Sequence, residues 1–565
     1  MPGAAAHRGA RKLLECAPIR LCRSFMFRGF PLAPLVLLLL ALLGCNRGLW
    51  TPDEPREAEI SREMALAPSV IPTLNGQRFI EKPPLYYWTV AAVYRLTGGA
   101  SVFGARAVSV LAGLATLALL AAWGAAAHSR AAGWLAALML ATSVQFMVSN
   151  HWVLIDPLLM FCTTAAAWAA WELLARRDSA ALRLLLYLAL ILALWIKGLI
   201  GPVLIGAGLI GYVLIDRPAH WRRLGPIAGI SVLGLAALLL ALAIWRQGGD
   251  AALWEWAYVN HVQRLLNPGI TGHRQPLLYY CWTLPYAMLP WLLPLLEALR
   301  PAHWRRVRVP GLPPLSDPAR YGAIMSAVML LLLSLSATKR ETYLLPLLPL
   351  LFLWLGIRSY EWWQDWQQPR TGAGLGVLWW LQVSLLCLYA LAPPLAGWFW
   401  LKSVNAALLA ALIIAALSSA WLLYTSAAAQ RVRAGLAALA CAVAGSALLL
   451  ALAPMLLNQT KDMGPFVRWI GQQLPANQAV YATGVDETLA AEVPFYTGRA
   501  VVAVDIQRLR QPGAMASRPD WVLVQDNHDG RASTLDPDYA LIAARSFGTR
   551  RSLLLWRLRA AGASP

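Results

Sequence analysis

Apolar positions in this chain fall in long unbroken runs. They show neither the strict alternation of a half-buried strand nor the one-sided stripe of a soluble helix. Many runs approach the roughly 20 residues needed to cross a bilayer's hydrocarbon. About thirteen spans are predicted, with cores near 30–46, 104–127, 131–150, 154–174, 184–200, 201–215, 225–245, 281–299, 321–336, 343–357, 371–391, 404–424 and 434–457. Within 184–215, Lys197-Gly198 and Gly201-Pro202 mark a turn between two spans or a kink in one. Alternate connections carry arginine: His128–Arg130, Arg176–Arg183, Asp216–Arg223, Arg300–Arg320, Arg358–Arg370 and Gln430–Arg433. The positive-inside rule puts these in the cytoplasm. The opposite face then receives 47–103, Asn150–Val153, 246–280, Thr338–Thr342, 392–403 and everything after Leu457.

One connection breaks the pattern. Trp50 to Trp88 packs Asp53, Glu54, Arg56, Glu59, Glu81 and Lys82 among prolines and aromatics. Helical spacing puts Ile60, Met64 and Ala67 on one face of 54–67, and Leu85, Trp88, Ala92 and Leu96 on one face of 83–96. Two interfacial helices are expected, with their polar ends brought together above the spans. Asp53 also fits an ordinary helix cap, with Pro55 in the first turn. Glu81-Lys82 likewise fits a surface ion pair of little energetic value. After Leu457 short apolar runs alternate with turn residues and one helical stretch, Phe466–Leu474. A small α/β domain is expected there, without a G-x-G-x-x-G phosphate loop. The chain thus divides into a basic cytoplasmic N-terminus (1–29), an all-α transmembrane unit (30–457) and a periplasmic α/β domain (458–565).

Composition agrees. The 565 residues are 59% hydrophobic and 13% charged, against about 25% charged in soluble domains. The net charge of +20 resides in short clusters between apolar runs, which set topology and touch lipid head groups; nucleic-acid binding is not indicated. Gly44-Cys45-Asn46 is a poor signal-cleavage site, so the first span is expected to be retained. The seven cysteines are scattered and form no C-x-x-C motif.

The motifs carry a resemblance. D-E-x-R at 53–56, A-E-I-S-R-E-M at 58–64 and L-N-G-x-R-F-x-E-K-P-P-L-x-Y-W at 74–88 resemble the bacterial lipid A aminoarabinose transferases. These are grouped with the protein O-mannosyltransferases in the GT-C class of polyprenyl-phosphate-sugar-dependent glycosyltransferases. Leu154-Ile-Asp156-Pro, Leu194-Trp-Ile-Lys197-Gly, His273-Arg-Gln-Pro, Leu289-Pro-Trp and Lys339-Arg-Glu-Thr-Tyr343 extend the similarity, in order, to about residue 350. The resemblance implies a GT-C fold and transfer with inversion. It also implies a divalent metal, Zn or Mg/Mn, near Glu81 and His261, or less readily His273. Two ligands do not make a metal site, and a neutral interfacial histidine is an equal account of His261. Family members commonly carry Tyr where this chain has Glu57.

The chemistry fits the residues on its own terms. Releasing a sugar from a lipid phosphate requires stabilising an anionic leaving group in a partly dry site. Lys82, Arg56, Arg264, Arg274 and the Tyr343 hydroxyl are the candidates for holding that phosphate. Asp53 is the candidate base, or the group that orients an acceptor that is already anionic. Asp156 opens a span and is the second candidate catalytic carboxylate; Lys197 has an ordinary account in snorkelling. The leading expectation is a glycosyltransferase of the bacterial inner membrane with its site on the periplasmic face. Its partners would be a polyprenyl (undecaprenyl) phosphate sugar, a lipid A, glycan or protein acceptor, and membrane lipids. A transporter or flippase of lipid-linked sugars is the alternative, and predicts midplane charges and broken helices in paired halves. A non-catalytic sensor leaves the charged first loop unexplained.

Overall fold

A computed structural model of the chain describes residues 32–43, 45, 47–216, 218–263, 274–299, 318–366, 381–392 except 383 and 387, 431–475, 478–510, 518–526, 535, 538–547 and 551–559. The protein is a predominantly helical, multi-pass membrane protein. Among the described residues six helices are long and apolar enough to span a bilayer, seven if one bent pair is counted.

The first apolar helix, α1 (Ala33–Leu42), precedes the charged loop, in which α2 (Asp53–Leu66) and α3 (Leu85–Leu96) flank a short hairpin of β1 (Thr73–Leu74) and β2 (Gln77–Arg78). There follow α4 (Val102–Ala127), α5 (Arg130–Ala141), α6 (Val144–Asn150), α7 (Asp156–Ala175), α8 (Ala180–Lys197), α9 (Ile200–Asp216) and α10 (Pro226–Trp254). Beyond a π-helical stretch at Glu255–Gln263 come α11 (Tyr279–Met288), α12 (Leu292–Ala298), α13 (Pro318–Leu335), a 3-10 turn at Glu341–Leu347, α14 (Leu348–Trp366) and α15 (Arg431–Lys461).

Two expected single spans are broken. The run 131–150 becomes α5 and α6, bent by 67°, because Thr142 and Ser143 turn their hydroxyls onto the Leu138 and Leu140 carbonyls and so compete with the helix ladder. The run 281–299 becomes α11 and α12, separated at Leu289-Pro290. The ambiguous 184–215 run is two helices. Gly198 adopts φ +72° between them, a conformation that costs glycine nothing. Of the later expected spans, 404–424 and much of 371–391 lie outside the described residues.

The loop helices differ from the expected faces in an instructive way. On α2, Ile60 and Met64 are buried as expected, whereas Ala67 lies past the helix end and is exposed. On α3 the buried face is Tyr86, Tyr87, Val90, Ala91 and Tyr94; of the anticipated face, Leu85 and Trp88 are half-buried against the same cluster, while Ala92 and Leu96 are exposed, Leu96 at 87%. An interfacial helix is apolar on both sides, one toward protein and one toward lipid. The tyrosine side is the one that packs inward.

Residues after α15 form α16 (Gly464–Gln473), α17 (Glu487–Thr497), α18 (Ile506–Arg510) and a five-stranded sheet ordered β4-β3-β5-β7-β6. Its strands are β3 (Val480–Thr483), β4 (Val501–Ala503), β5 (Trp521–Asp526), β6 (Tyr539–Phe547) and β7 (Arg551–Leu558). β3 pairs in parallel with β4 and β5, and β7 pairs antiparallel with β5 and β6. Successive strand residues point to opposite faces. Accordingly Leu523, Leu553 and Leu555 enter one core with α16 and α17, while Val522, Val524, Leu554 and Trp556 enter another. This unit is fastened onto the first loop. Asn75, at φ +52° in the hairpin turn, pairs its side-chain amide with both backbone groups of Val501 on edge strand β4, at 2.8 and 2.9 Å. Ala491 of α17 is buried in the cluster beneath α2 and α3.

Candidate active site

The site is built from the anchored start of α2. Glu54 is fully buried. Its carboxylate accepts from both terminal nitrogens of Arg47, from Arg106 Nη2 at 3.1 Å, and from the backbone N–H groups of Trp50 at 2.7 Å and Val153 at 2.9 Å. Arg106, 1% exposed, also donates to the carbonyls of Cys45, Arg47 and Gly48. Arg47 donates to the His151 carbonyl and lies 3.6 Å from the Trp50 ring centroid. A charge this dry is tolerable only when paired and hydrogen-bonded; both Glu54 oxygens are filled, while Arg106 Nε has no partner among the described residues. The cluster joins α2, α4 and the 151–153 connection, which fixes where the neighbouring Asp53 points.

Asp53 faces a cavity of about 1070 Å³. Its wall comes from Pro52, Asp53, Arg56, Glu57, the hairpin and Glu81-Lys82, Leu154–Asp156, Lys197, Arg340, Thr342, Tyr343 and, from the C-terminal unit, Asp486–Thr488, Val501 and Arg551. These are ends of connections expected on one side of the bilayer, now gathered at one place. Asp53 opens α2 but makes no cap hydrogen bond; the N-cap position is Pro52. The capping account is therefore corrected. Asp53 instead accepts from Arg56 Nη2 at 3.0 Å on one oxygen and Arg340 Nη2 at 2.7 Å on the other. Burial alone would raise its pKa, but the two guanidinium groups outweigh burial and hold it below its ordinary value. It is a firmly ionised carboxylate and correspondingly a weak proton acceptor.

Asp156 opens α7, is 6% exposed and accepts from the Lys197 ammonium. Lys197 in turn lies 4.6 Å from the Tyr343 ring centroid. Lys82 lies 3.5 Å from Glu81. Thus Asp53, Asp156, Lys82, Arg56, Glu81 and Tyr343 share one cavity wall, together with Lys197. Arg56 sits among carboxylates: it donates to Asp53, Glu57 and, at 2.8 Å, Glu487 of α17, so an incoming phosphate must compete for it. Arg274 does not join the wall; it is exposed and its backbone bridges Thr338. Arg264, His273 and the His261 side chain lie outside the described residues. No three His, Cys, Asp or Glu side chains converge as metal ligands among the described residues. Glu81 lies beside the Lys82 ammonium, and the side chain of His261, its implied co-ligand, is outside the described residues.

Sequence reasoning missed Arg340 as the partner of Asp53, although it lies within a quoted motif. It also missed Asp486, Glu487 and Arg551. The wall carries six acidic residues (Asp53, Glu57, Glu81, Asp156, Asp486, Glu487) and six basic ones (Arg56, Arg78, Lys82, Lys197, Arg340, Arg551). Among the described residues of the lining, acidic and basic side chains are thus equal in number.

Residues 34–258 match the dolichyl-phosphate-mannose-protein mannosyltransferase family. The chain is 32% identical over 330 residues to an undecaprenyl phosphate-alpha-4-amino-4-deoxy-L-arabinose arabinosyl transferase of Edwardsiella ictaluri, covering 56% of each protein. It is 31% identical over 322 residues to the Pseudomonas aeruginosa protein of the same name, covering 54% of this chain and 55% of that one. These matches thus span about half the length of the curated relatives. The fold is similar over far more of the chain to ArnT from Cupriavidus metallidurans, solved bound to undecaprenyl phosphate. That likeness has a TM-score of 0.70 at 20% identity and covers 94% of this chain and 98% of the other.

Proposed function

From an ArnT-like GT-C fold, we propose that this chain is a membrane glycosyltransferase that moves a sugar from a polyprenyl phosphate to an acceptor outside the cytoplasm. The observation that carries the reading is the convergence of Asp53–Arg340, Asp156–Lys197, Lys82 and Tyr343 on one cavity at the helix ends. In this reading about thirteen spans within 30–457 carry the site, the N-terminus is cytoplasmic, and 458–565 covers the site from the periplasm of a bacterial inner membrane. The transport alternative needs charged groups at mid-membrane, whereas the carboxylates and cations of this wall sit at helix starts, helix ends and loops.

The donor phosphate meets Lys82, Lys197 and Arg340, with the Tyr343 hydroxyl as a further donor. These groups neutralise the charge that grows on the phosphate as the bond to the anomeric carbon lengthens. Asp53, ionised at neutral pH, steers the acceptor oxygen toward that carbon. A hydroxyl acceptor passes its proton to Asp53 as its oxygen bonds the anomeric carbon and the bond from that carbon to the donor phosphate breaks, the phosphate leaving as the anion. An anionic phosphate acceptor has no proton to lose, and suits so weak a base better. Lipid A, exposed outside the inner membrane and bearing phosphates, is the proposed acceptor class.

The test is mass spectrometry of lipid A and surface glycans from cells with and without the gene, paired with transfer by purified protein in proteoliposomes. A sugar mass that appears only with the gene is expected. Identical glycans in both strains, with no donor consumed in vitro, would overturn the proposal.

A further inference from the structure

Arg78 belongs to the L-N-G-x-R-F motif at 74–79, and none of the chemistry above uses it. It is exposed and lines the cavity. Among the described residues every carboxylate of that wall is in an ion pair, and so are Arg56, Lys82, Lys197, Arg340 and Arg551; Arg78 is in none. Its guanidinium makes one contact with the described residues, from Nη1 to the Gly248 carbonyl at 3.5 Å. That is longer than an ordinary N–H···O bond of about 2.7–3.2 Å. The contact is not needed to fasten the hairpin to α10, because Gln247 already does so. Its Oε1 accepts from the N–H groups of Val70 and Ile71 at 3.0 and 3.2 Å, and its Nε2 donates to Ser69 Oγ.

The backbone beneath this cation is held firmly. Asn75 and Gly76, at φ +52° and +73°, make the two-residue turn that suits the twist of antiparallel strands, and set Arg78 opposite Thr73. The tip is clasped to Val501, while the Thr73 hydroxyl and the Gly76 N–H donate to Glu63 of α2. Four residues of chain separate Arg78 from Lys82, so their Cα atoms lie within about 14 Å, short enough for a donor and an acceptor in contact to touch both.

An anionic acceptor brought to Asp53 meets a like charge, which is unfavourable unless a cation accompanies it. Arg56 already serves Asp53, Glu57 and Glu487, and Arg340 serves Asp53. Arg78 is the uncommitted cation of the described wall, and the planar fork of a guanidinium matches two phosphate oxygens. We propose that Arg78 binds a phosphate group of the acceptor, with Nε and Nη2 donating to two of its oxygens. This rests on the transferase reading above and gives the acceptor an anchor of its own, apart from the groups assigned to the donor phosphate. Arg78 forms no covalent bond and moves no proton; it selects phosphorylated acceptors. Phospholipid head groups of the surrounding bilayer offer the same chemistry, and the test separates the two sources.

The experiment uses the full chain as wild type, Arg78→Ala and Arg78→Lys. Lipid A with its phosphates, lipid A stripped of them, and polyprenyl phosphate are titrated by direct binding in detergent. Turnover is measured in proteoliposomes of phosphatidylcholine, with and without phosphatidylglycerol. Wild type is expected to bind the phosphorylated lipid A about tenfold or more tighter than the stripped form. Arg78→Ala is expected to lose that advantage, with acceptor KM raised, kcat little changed, and polyprenyl phosphate affinity and melting temperature unaltered. Arg78→Lys keeps the charge but loses the fork, and is expected to fall between the two. The proposal is overturned if Arg78→Ala binds phosphorylated lipid A as wild type does, if wild type does not distinguish the two forms, or if polyprenyl phosphate weakens in parallel. An effect that follows phosphatidylglycerol content while lipid A affinity stays unchanged assigns Arg78 to bilayer head groups and overturns it too. If wild type transfers no sugar, the transferase reading fails, while the binding comparison still decides the Arg78 contact.

Discussion

Asp53 and Glu54 are consecutive carboxylates at the start of one helix, about 100° apart around its axis. Glu54 turns into the protein and meets two arginines and two backbone N–H groups in a dry cluster. Asp53 turns into the cavity, where Arg56 and Arg340 hold it from the rim. Both are ion-paired, yet they do different work. The inward pair has every acceptor filled by the protein, so it can only hold α2 in place. The outward group shares a wall with cations and a phenol and faces the cavity. A D-E pair read as one motif thus sets a carboxylate closed in by the protein beside one that faces the cavity.

Variants can break or sharpen that contrast. The largest effect is expected from Glu54→Ala, which strands Arg47 and Arg106 in a dry site. Loss of one partner of a buried pair costs about 3–5 kcal/mol, so folded protein should fall sharply in detergent size-exclusion profiles. Monodisperse Glu54→Ala protein of wild-type melting temperature would erase the distinction. Asp53→Asn keeps the shape and removes the charge. It should insert and bind donor normally while transfer drops about 10²–10⁴-fold, and wild-type transfer would remove Asp53 from the chemistry. Lys82→Ala should weaken donor binding about tenfold, as expected for one charged hydrogen bond, with unchanged melting temperature; unaltered affinity would take Lys82 away from the phosphate. Glu487→Ala removes a contact to Arg56 from a half-exposed side chain and should cost no more than about 0.2–1 kcal/mol, measured as a small shift in melting temperature.

The contrast also has a pH signature. Burial works against the Asp53 charge, but Arg56 and Arg340 bring its pKa below 3.8. A depressed acid contributes stability that is complete above its unfolded value and is lost as pH falls through the folded one. Stability that depends on Asp53, measured as the difference between wild type and Asp53→Asn, should therefore be flat from pH 5 to 8 and shrink only below about pH 4. A change near pH 6 would mean that the guanidinium pairs do not form.

Much of this was legible in the chain. Apolar runs located most helices, arginine-bearing connections predicted which loops lie on one side, and the first loop's density of charge marked Asp53, Lys82 and Glu81 for a common site. Asp156 and Tyr343 also reached it. The pairings were not legible. Arg340 is 287 residues from Asp53, and Glu487 is 431 from Arg56; no periodicity reports such distances. Nor does hydrophobicity tell a lipid-facing side from a protein-facing one. That is why α3 buries Tyr86, Val90 and Tyr94 while Leu96 is outward. Arg274, by contrast, is exposed and is not among the residues that line the cavity.

The clasp between Asn75 and Val501 joins residues 426 apart in the chain. Because a ribosome delivers residues in order, the hairpin emerges long before its partner strand exists. The cavity is therefore among the last features of the molecule to be finished. A nascent chain halted before β4 would hold its helices with the cavity still lacking the part of its wall that follows.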